Sequence, residues 1–432
     1  MPWSSRTTGL RREAATRPCA GKVTMSGLRS YEGPALLSYG FRPFFLFGSI
    51  YAGLAVLLWL PMFYGEIAIS TAFVPRDWHA HEMLFGYVAA VVTGFLLTAI
   101  PNWTGRLPIQ GTRLLLLVAV WAAGRLAVTF SAFIGWFPAA AIDVAFLVLI
   151  AAAAAREMLV ARKWGNLKVC VILSVLTAAN VTFHVEAHIW GTADYGIRLG
   201  LAAIIMLMLI IGGRIVPSFT RNWLARENPG RLPVPFGRFD VVILVLSGMG
   251  LVLWIARPAA WTTAAALFAV GLLQAVRLAR WAGDRTLHDR LVLVLHLAYA
   301  FVPVGFVLTG LAAVDLIPAS AGIHAWTVGA IGTMTLAVMT RASLGHSGHA
   351  LFASVMTQLI YVAVLAAALT RIGAAIAPQR SNVLLPLSAS LWAAAFLGFG
   401  ASYAPMLLRR RRGRDEFQGE TNPPEPRRTD RL

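Results

Sequence analysis

Long apolar stretches separated by short polar breaks run along this chain from residue 41 to residue 408. Nearly all of them are long enough to cross a hydrocarbon core of about 30 Å as an α-helix. We therefore predict an all-α, polytopic transmembrane bundle of about twelve spans. The predicted spans are 41–63, 81–100, 114–134, 139–155, 167–189, 197–219, 241–256, 260–275, 291–316, 323–339, 350–369 and 384–407.

Composition supports a membrane domain without a soluble partner domain. The chain has 432 residues, of which 58% are hydrophobic and only 13% charged, against about 25% charged in soluble domains. No loop exceeds roughly twenty residues, so any chemistry must lie inside the bundle or at its rim. We predict a disordered basic arm over residues 1–38, with Met25 as an alternative start, a membrane domain over 39–408, and a disordered cytoplasmic tail over 409–432.

The net charge of +18 is concentrated in alternate loops. This is the positive-inside bias, and it predicts an inner-membrane protein with both termini in the cytoplasm. The basic charge is thus explained by topology and by attraction to anionic lipid in the bilayer, and we expect no nucleic-acid partner. The loops predicted to be outer contain only Arg76, Arg198, Arg257, Arg371 and Arg380.

Three helix ends resemble one another at intervals of four spans. The sequence AIPNWTGRL at residues 99–107 is similar to IVPSFTRNWL at 215–224, and AVMTRASLGH at 337–346 follows four spans later. This spacing predicts three four-helix units.

Histidine placement is the main functional signal, because ionisable residues at membrane depth are costly and are usually paired, hydrated or liganding. His184 and His188 are spaced i, i+4 and share one helix face. Since imidazole is a preferred ligand for copper, iron and zinc, they could share a metal, or one could ligate while the other supports it. The five histidines expected near the outer face are His79, His81, His184, His188 and His324.

His79 and His81 are spaced i, i+2, which points them to nearly opposite sides of a helix. Both could reach one site if His79 lies in an entry turn after Pro75. Glu82 and Glu186 could orient imidazoles as hydrogen-bond acceptors behind the metal ligands. A single interfacial histidine more often snorkels or caps a helix, but five histidines at one level of three helices favour a metal site.

Arg125, Arg214 and Arg341 lie within or at the ends of predicted spans, and a buried arginine needs an anionic partner. Haem propionates would serve, as would Asp143 or Glu157. The structural alternative is that Arg214 and Arg341 stabilise the last turns of inward-ending helices.

Four segments of the chain resemble the NnrS family, whose members are haem- and copper-containing membrane proteins. They are YGFRPFFLFG at 39–48, WHAHEMLFGYVAAVVTGFLLTAIPNWTG at 78–105, GGRIVPSFT at 212–220 and HAWTVGAIGTMTLAVMTRASLGHSGH at 324–349. The resemblance implies haem, copper and a role in nitric oxide metabolism or in protection against nitrosative stress. The family's motif residues fall on His79, His81, Glu82, Arg214, His324, Arg341 and His346.

Cys19 and Cys170 are isolated and form no CxxCH motif, so a haem here would be a non-covalent haem b held by histidine. Nitric oxide is the expected small-molecule ligand, and electrons would come from quinol or a membrane partner. Catalysis, sensing, scavenging and metal protection stay open. The alternative from another class is a secondary transporter of a small solute or metal, because twelve spans with internal similarity fit that architecture.

Overall fold

The computed structural model describes residues 31–410. The predicted arm up to residue 30, with the alternative start at Met25, and the tail from residue 411 lie outside the described residues. Within residues 31–410 there are twelve helices long and apolar enough to cross a membrane, and no strand. The predicted twelve-span, all-α fold is confirmed, and the chain is a multi-pass membrane protein.

The spans are named α1 to α12 in chain order. α1 has the predicted bounds, whereas α2 begins at Pro75, which places His79 inside the helix. The bounds of the twelve spans, in order from α1 to α12, are Phe41–Phe63, Pro75–Thr104, Thr112–Thr129, Trp136–Val160, Trp164–Trp190, Asp194–Glu227, Arg238–Ala256, Trp261–Ala279, Arg290–Ala312, Ala319–His346, Val355–Ile376 and Pro378–Leu408.

Each span is helical because a helix pairs its backbone polar groups internally, which a segment in lipid requires. Two of the helices end at a glycine in the left-handed conformation, which lets the chain turn without a clash from a Cβ atom. Gly105 ends α2 at φ 72° and Gly191 ends α5 at φ 75°.

α2 and α10 share an unusual feature, a π-helical segment in the half that follows their N-terminal turns. It covers Glu82–Val88 in α2 and Ala325–Gly332 in α10. Each π-helix begins directly after a predicted site histidine, His81 or His324. π-Helical turns are rare and are often found at functional sites.

The helices pack as three similar units, α1–α4, α5–α8 and α9–α12. The last helix of each unit contacts the first helix of the next, including α12 against α1, and the second helices α2, α6 and α10 contact one another at the centre. This packing agrees with the four-span interval of the similar helix ends. The face where α1 ends and α2 begins, predicted to be the outer one, is called the outer face below, and the opposite face the inner face.

Candidate metal centre and cofactor cavities

A buried polar cluster joins α2, α4 and α5 in the half of the bundle toward the outer face. Its centre is His81, Asp143 and His184, all of which are buried. Oδ2 of Asp143 lies 3.1 Å from Nε2 of His81 and 3.0 Å from Nε2 of His184. One ligand atom from each of the three residues lies within 4.8 Å of the others, so the three could bind a single metal ion.

Hydrogen bonds around His81 define its protonation. Asn180, one turn before His184 on α5, donates from Nδ2 to Oδ2 of Asp143 at 2.7 Å, and its Oδ1 lies 3.1 Å from Nε2 of His81. Nδ1 of His81 lies 3.0 Å from Oε1 of Glu82. Because both ring nitrogens of His81 face oxygen acceptors, both donate, and the ring is an imidazolium in this arrangement.

Arg125 on α3 balances the charge of the two carboxylates in the cluster. Its Nη1 donates to Oε2 of Glu82 at 2.8 Å, and its Nη2 donates to Oδ1 of Asp143. The hydroxyl of Tyr51 donates to the same oxygen of Glu82. Two carboxylates, one guanidinium and one imidazolium sum to zero, which lets these charges remain buried. Asp143 is thus the partner of Arg125, one of the possibilities that the sequence leaves open.

A cavity of about 470 Å³ lies in the outer half of the bundle, lined by residues of α1, α2, α6, α7, α10, α11 and α12. We call it the outer cavity. Its volume is in the range of small-molecule and cofactor sites. Apolar and aromatic side chains form most of its wall, among them Trp59, Tyr87, Trp254 and Trp392.

Two imidazoles on different helices line the outer cavity, His79 from α2 and His324 from α10. His79 stacks on Trp59, with ring centroids 4.2 Å apart, and its buried Nδ1 has no hydrogen-bond partner among the described residues. Nδ1 of His324 lies 2.6 Å from the carbonyl oxygen of Ser320. A donated bond at Nδ1 leaves Nε2 of His324 with a lone pair for a metal, as is usual for ligating histidines.

The outer cavity also contains three arginines. Arg76 is paired with Asp77 at 2.7 Å and with Asp194 at 3.0 Å. Arg198 and Arg371 have no carboxylate within ion-pair distance in the part of the chain that the structure describes, although both line the cavity. Two guanidiniums in an apolar wall therefore lack an anionic partner among residues 31–410.

A second cavity of about 630 Å³ lies at the inner-face ends of α2, α6 and α10, and we call it the inner cavity. The predicted residues Arg214, Arg341 and His346 all line it, together with the amides of Asn102 and Asn222. The His346 ring also contacts the rings of residues near the start of α1.

The five predicted outer histidines are divided among three places. His81 and His184 meet in the polar cluster, and His79 and His324 share the outer cavity. His188 stacks on Trp136, with ring centroids 4.2 Å apart and ring planes inclined by 14°. The two histidines of the i, i+4 pair on α5 therefore contact different residues.

The two glutamates considered as supports for imidazoles behave differently. Glu82 does contact the His81 ring. Glu186 instead accepts the backbone N–H groups of Tyr195 at 3.0 Å and Gly196 at 2.5 Å, and so caps the start of α6.

Several residues of these sites are not predicted from the sequence to hold a metal or a cofactor. Asn180 and Tyr51 carry no distinctive signal in a span. Arg198 and Arg371 could be noted only as rare basic residues of the outer loops. Asp143 gives the strongest signal, an acidic residue within an apolar span, and it proves to be the carboxylate that joins the two imidazoles.

Comparison with known families finds a match over most of the chain. A family model described as NnrS protein matches residues 35–411, which cover the whole spanning region. No curated protein sequence shows significant similarity to the chain.

Proposed function

This chain belongs to the NnrS family, and from that membership we propose that it is a haem- and copper-binding protein of the bacterial inner membrane that acts in nitric oxide metabolism or in protection against nitrosative stress. The observation that carries the proposal is the pair of imidazoles, His79 and His324, that line one apolar cavity. Two arginines without a carboxylate partner among residues 31–410 line the same cavity.

The outer cavity fits a non-covalent haem b. A haem b offers an iron that binds imidazole, a large apolar ring and two carboxylates. His79 and His324 would hold the iron, the aromatic wall would contact the ring, and Arg198 and Arg371 would bind the carboxylates. The unsatisfied Nδ1 of His79 is a further group that an occupant or a water would have to satisfy.

The cluster of His81, Asp143 and His184 fits a single copper ion. A cation that replaces the proton on Nε2 of His81 keeps the charge of the cluster at zero if the cation is monovalent, and raises it by one if it is divalent. His184 would then carry its proton on Nδ1. The charge balance therefore supports copper(I) over divalent ions such as zinc.

The residues around the copper ligands would hold their geometry. Glu82 would keep the proton on Nδ1 of His81, which leaves Nε2 for the metal. Arg125 and Tyr51 would fix Glu82 in turn. Because these groups are buried, bulk water is excluded from the site.

The two proposed centres adjoin through α2. His79 belongs to the cavity and His81 to the cluster, and only Ala80 separates them in the chain. When bound, the haem would supply a ferrous iron that binds nitric oxide, and the copper a one-electron centre. Nitric oxide would reach the site through the bilayer, and electrons would come from quinol or another membrane donor; both termini would be cytoplasmic.

Optical spectroscopy and metal analysis of the purified protein test the proposal. We expect a haem absorption band that shifts when nitric oxide is added to the reduced protein, and copper bound in stoichiometric amount. His324→Ala should lower the haem content, His184→Ala should lower the copper content, and His288→Ala, at an exposed position, should change neither. A colourless, copper-free wild type would refute the function.

A secondary transporter is the second candidate. The observation that favours it is that cavities at opposite faces are lined by the same three central helices, α2, α6 and α10. Transporters bind their substrate between helices that open to each face in turn. A colourless protein that moves a labelled solute across proteoliposome membranes would support this function instead.

A further inference from the structure

The inner cavity contains two arginines without an anionic partner among residues 31–410. Arg214 on α6 and Arg341 on α10 line it, and its wall includes no acidic residue. Arg341 lies over the Phe219 ring at 4.2 Å, and its buried Nη1 has no hydrogen-bond partner there. Arg214 is exposed and Arg341 is half-buried, so two positive charges line a cavity whose wall contains no negative charge. Such a cavity attracts an anion.

The rest of the wall indicates what kind of anion. The cavity measures about 630 Å³ and includes Phe45, Phe95, Ile211, Val338 and Leu351. A small inorganic anion would leave most of this apolar surface without contacts. The ligand chemistry that matches the whole wall is an acidic group attached to a large apolar body.

The outer cavity supplies a comparison within the same molecule. Each cavity lies between α2, α6 and α10 and has a largely apolar wall with at least one imidazole. Each also contains two arginines that have no anionic partner in the described part of the chain. Arg198 and Arg371 in the outer cavity thus correspond to Arg214 and Arg341 in the inner one. An occupant of the same class would satisfy both.

We propose that the inner cavity is a second haem site, in which Arg214 and Arg341 bind the two carboxylates. The inference rests on the proposed function, since it extends the haem assignment of the outer cavity. The donor sets differ, because His346 is the one imidazole in the inner wall, whereas the outer wall has two. One haem would then lie toward each membrane face.

A short stretch of the central helices α2 and α10 connects the two cavities. Tyr87 of α2 lines the outer cavity, and its hydroxyl is hydrogen-bonded to that of Thr335 on α10. Three residues after Thr335, Val338 lines the inner cavity. The two haem sites would therefore be linked by the central helices themselves.

Haem stoichiometry of the full-length protein in detergent tests the inference. We expect two haems per chain in the wild type by the pyridine haemochrome assay, and two components in a redox titration. The double variant Arg214→Gln/Arg341→Gln should retain one haem, and Arg226→Gln, at an exposed position of the same helix α6, should retain two. Arg214→Lys/Arg341→Lys, which keeps the charge, should lose less haem than the glutamine variant.

The outcomes separate this inference from the proposed function. One haem in the wild type with a single redox component overturns the second site but leaves the outer site standing, and this result needs no variant to fold. A second result would also overturn the second haem site. The wild type would contain one haem, and mass spectrometry would find an anionic phospholipid in the wild type but not in the glutamine variant, which would identify the occupant of the inner cavity as a lipid. A wild type without haem overturns both.

Discussion

Arg125 is the group whose removal most directly tests the charge balance of the buried cluster. Arg125→Gln leaves Glu82, Asp143 and the His81 imidazolium with a net charge of −1 in a fully buried site. Removing one partner of a buried ion pair costs about 3–5 kcal/mol, because the remaining charge is uncompensated. At about 2 °C per kcal/mol for a large domain, the apparent Tm should fall by about 6–10 °C.

The second substitution Glu82→Gln distinguishes charge balance from loss of contacts. In Arg125→Gln/Glu82→Gln the cluster again sums to zero, so the double variant should be more stable than Arg125→Gln alone, although it has lost one more charged hydrogen bond. The two substitutions should therefore be non-additive.

Thermal unfolding in detergent, followed by tryptophan fluorescence, measures both effects. Arg226→Gln, which removes an exposed arginine of α6, is the matched control and should leave the Tm within about 1 °C. An Arg125→Gln protein as stable as this control would contradict the reasoning. So would a double variant whose loss of stability equals the sum of the two single losses.

Three further predictions follow from the same geometry. Asp143→Asn should reduce copper content at least about tenfold while haem content is kept, as elemental analysis and the haem absorption band would report; unchanged copper would exclude this carboxylate as a ligand. Copper(I) affinity should rise about tenfold per pH unit over the pH range in which His81 is protonated in the metal-free protein, because one proton leaves for each ion bound. Competition with a chromophoric chelator measures this affinity, and an affinity that does not depend on pH would contradict the proton exchange. Gly196→Ala should destabilise the protein by about 1–3 kcal/mol, because its Cβ would lie 2.5 Å from the Cα of Phe183; Gly248→Ala, whose nearest neighbour is 3.9 Å away, is the control, and equal Tm values would count against this contact.

The fold could be predicted in detail because lipid restricts a spanning chain to few choices. A long apolar run must be helical, and its length then fixes where the helix can begin and end. The bounds of α1 agree with the prediction for this reason. The start of α2 does not agree, because Pro75–His81 is too polar to be predicted as part of a span, and yet it lies against the cavity and cluster.

The sequence by itself determined that this is a twelve-span bundle with unusual charges near its faces, and its motifs indicated the family to which the chain belongs. Only the tertiary structure decided which of those charges meet. His79 and His81, two positions apart, belong to different sites because successive helical positions point in different directions, and His184 meets Asp143 while His188 stacks on Trp136. Partners such as Asp143 and Arg125 are on different helices, and a pattern along one helix contains no information on how that helix is rotated against its neighbours.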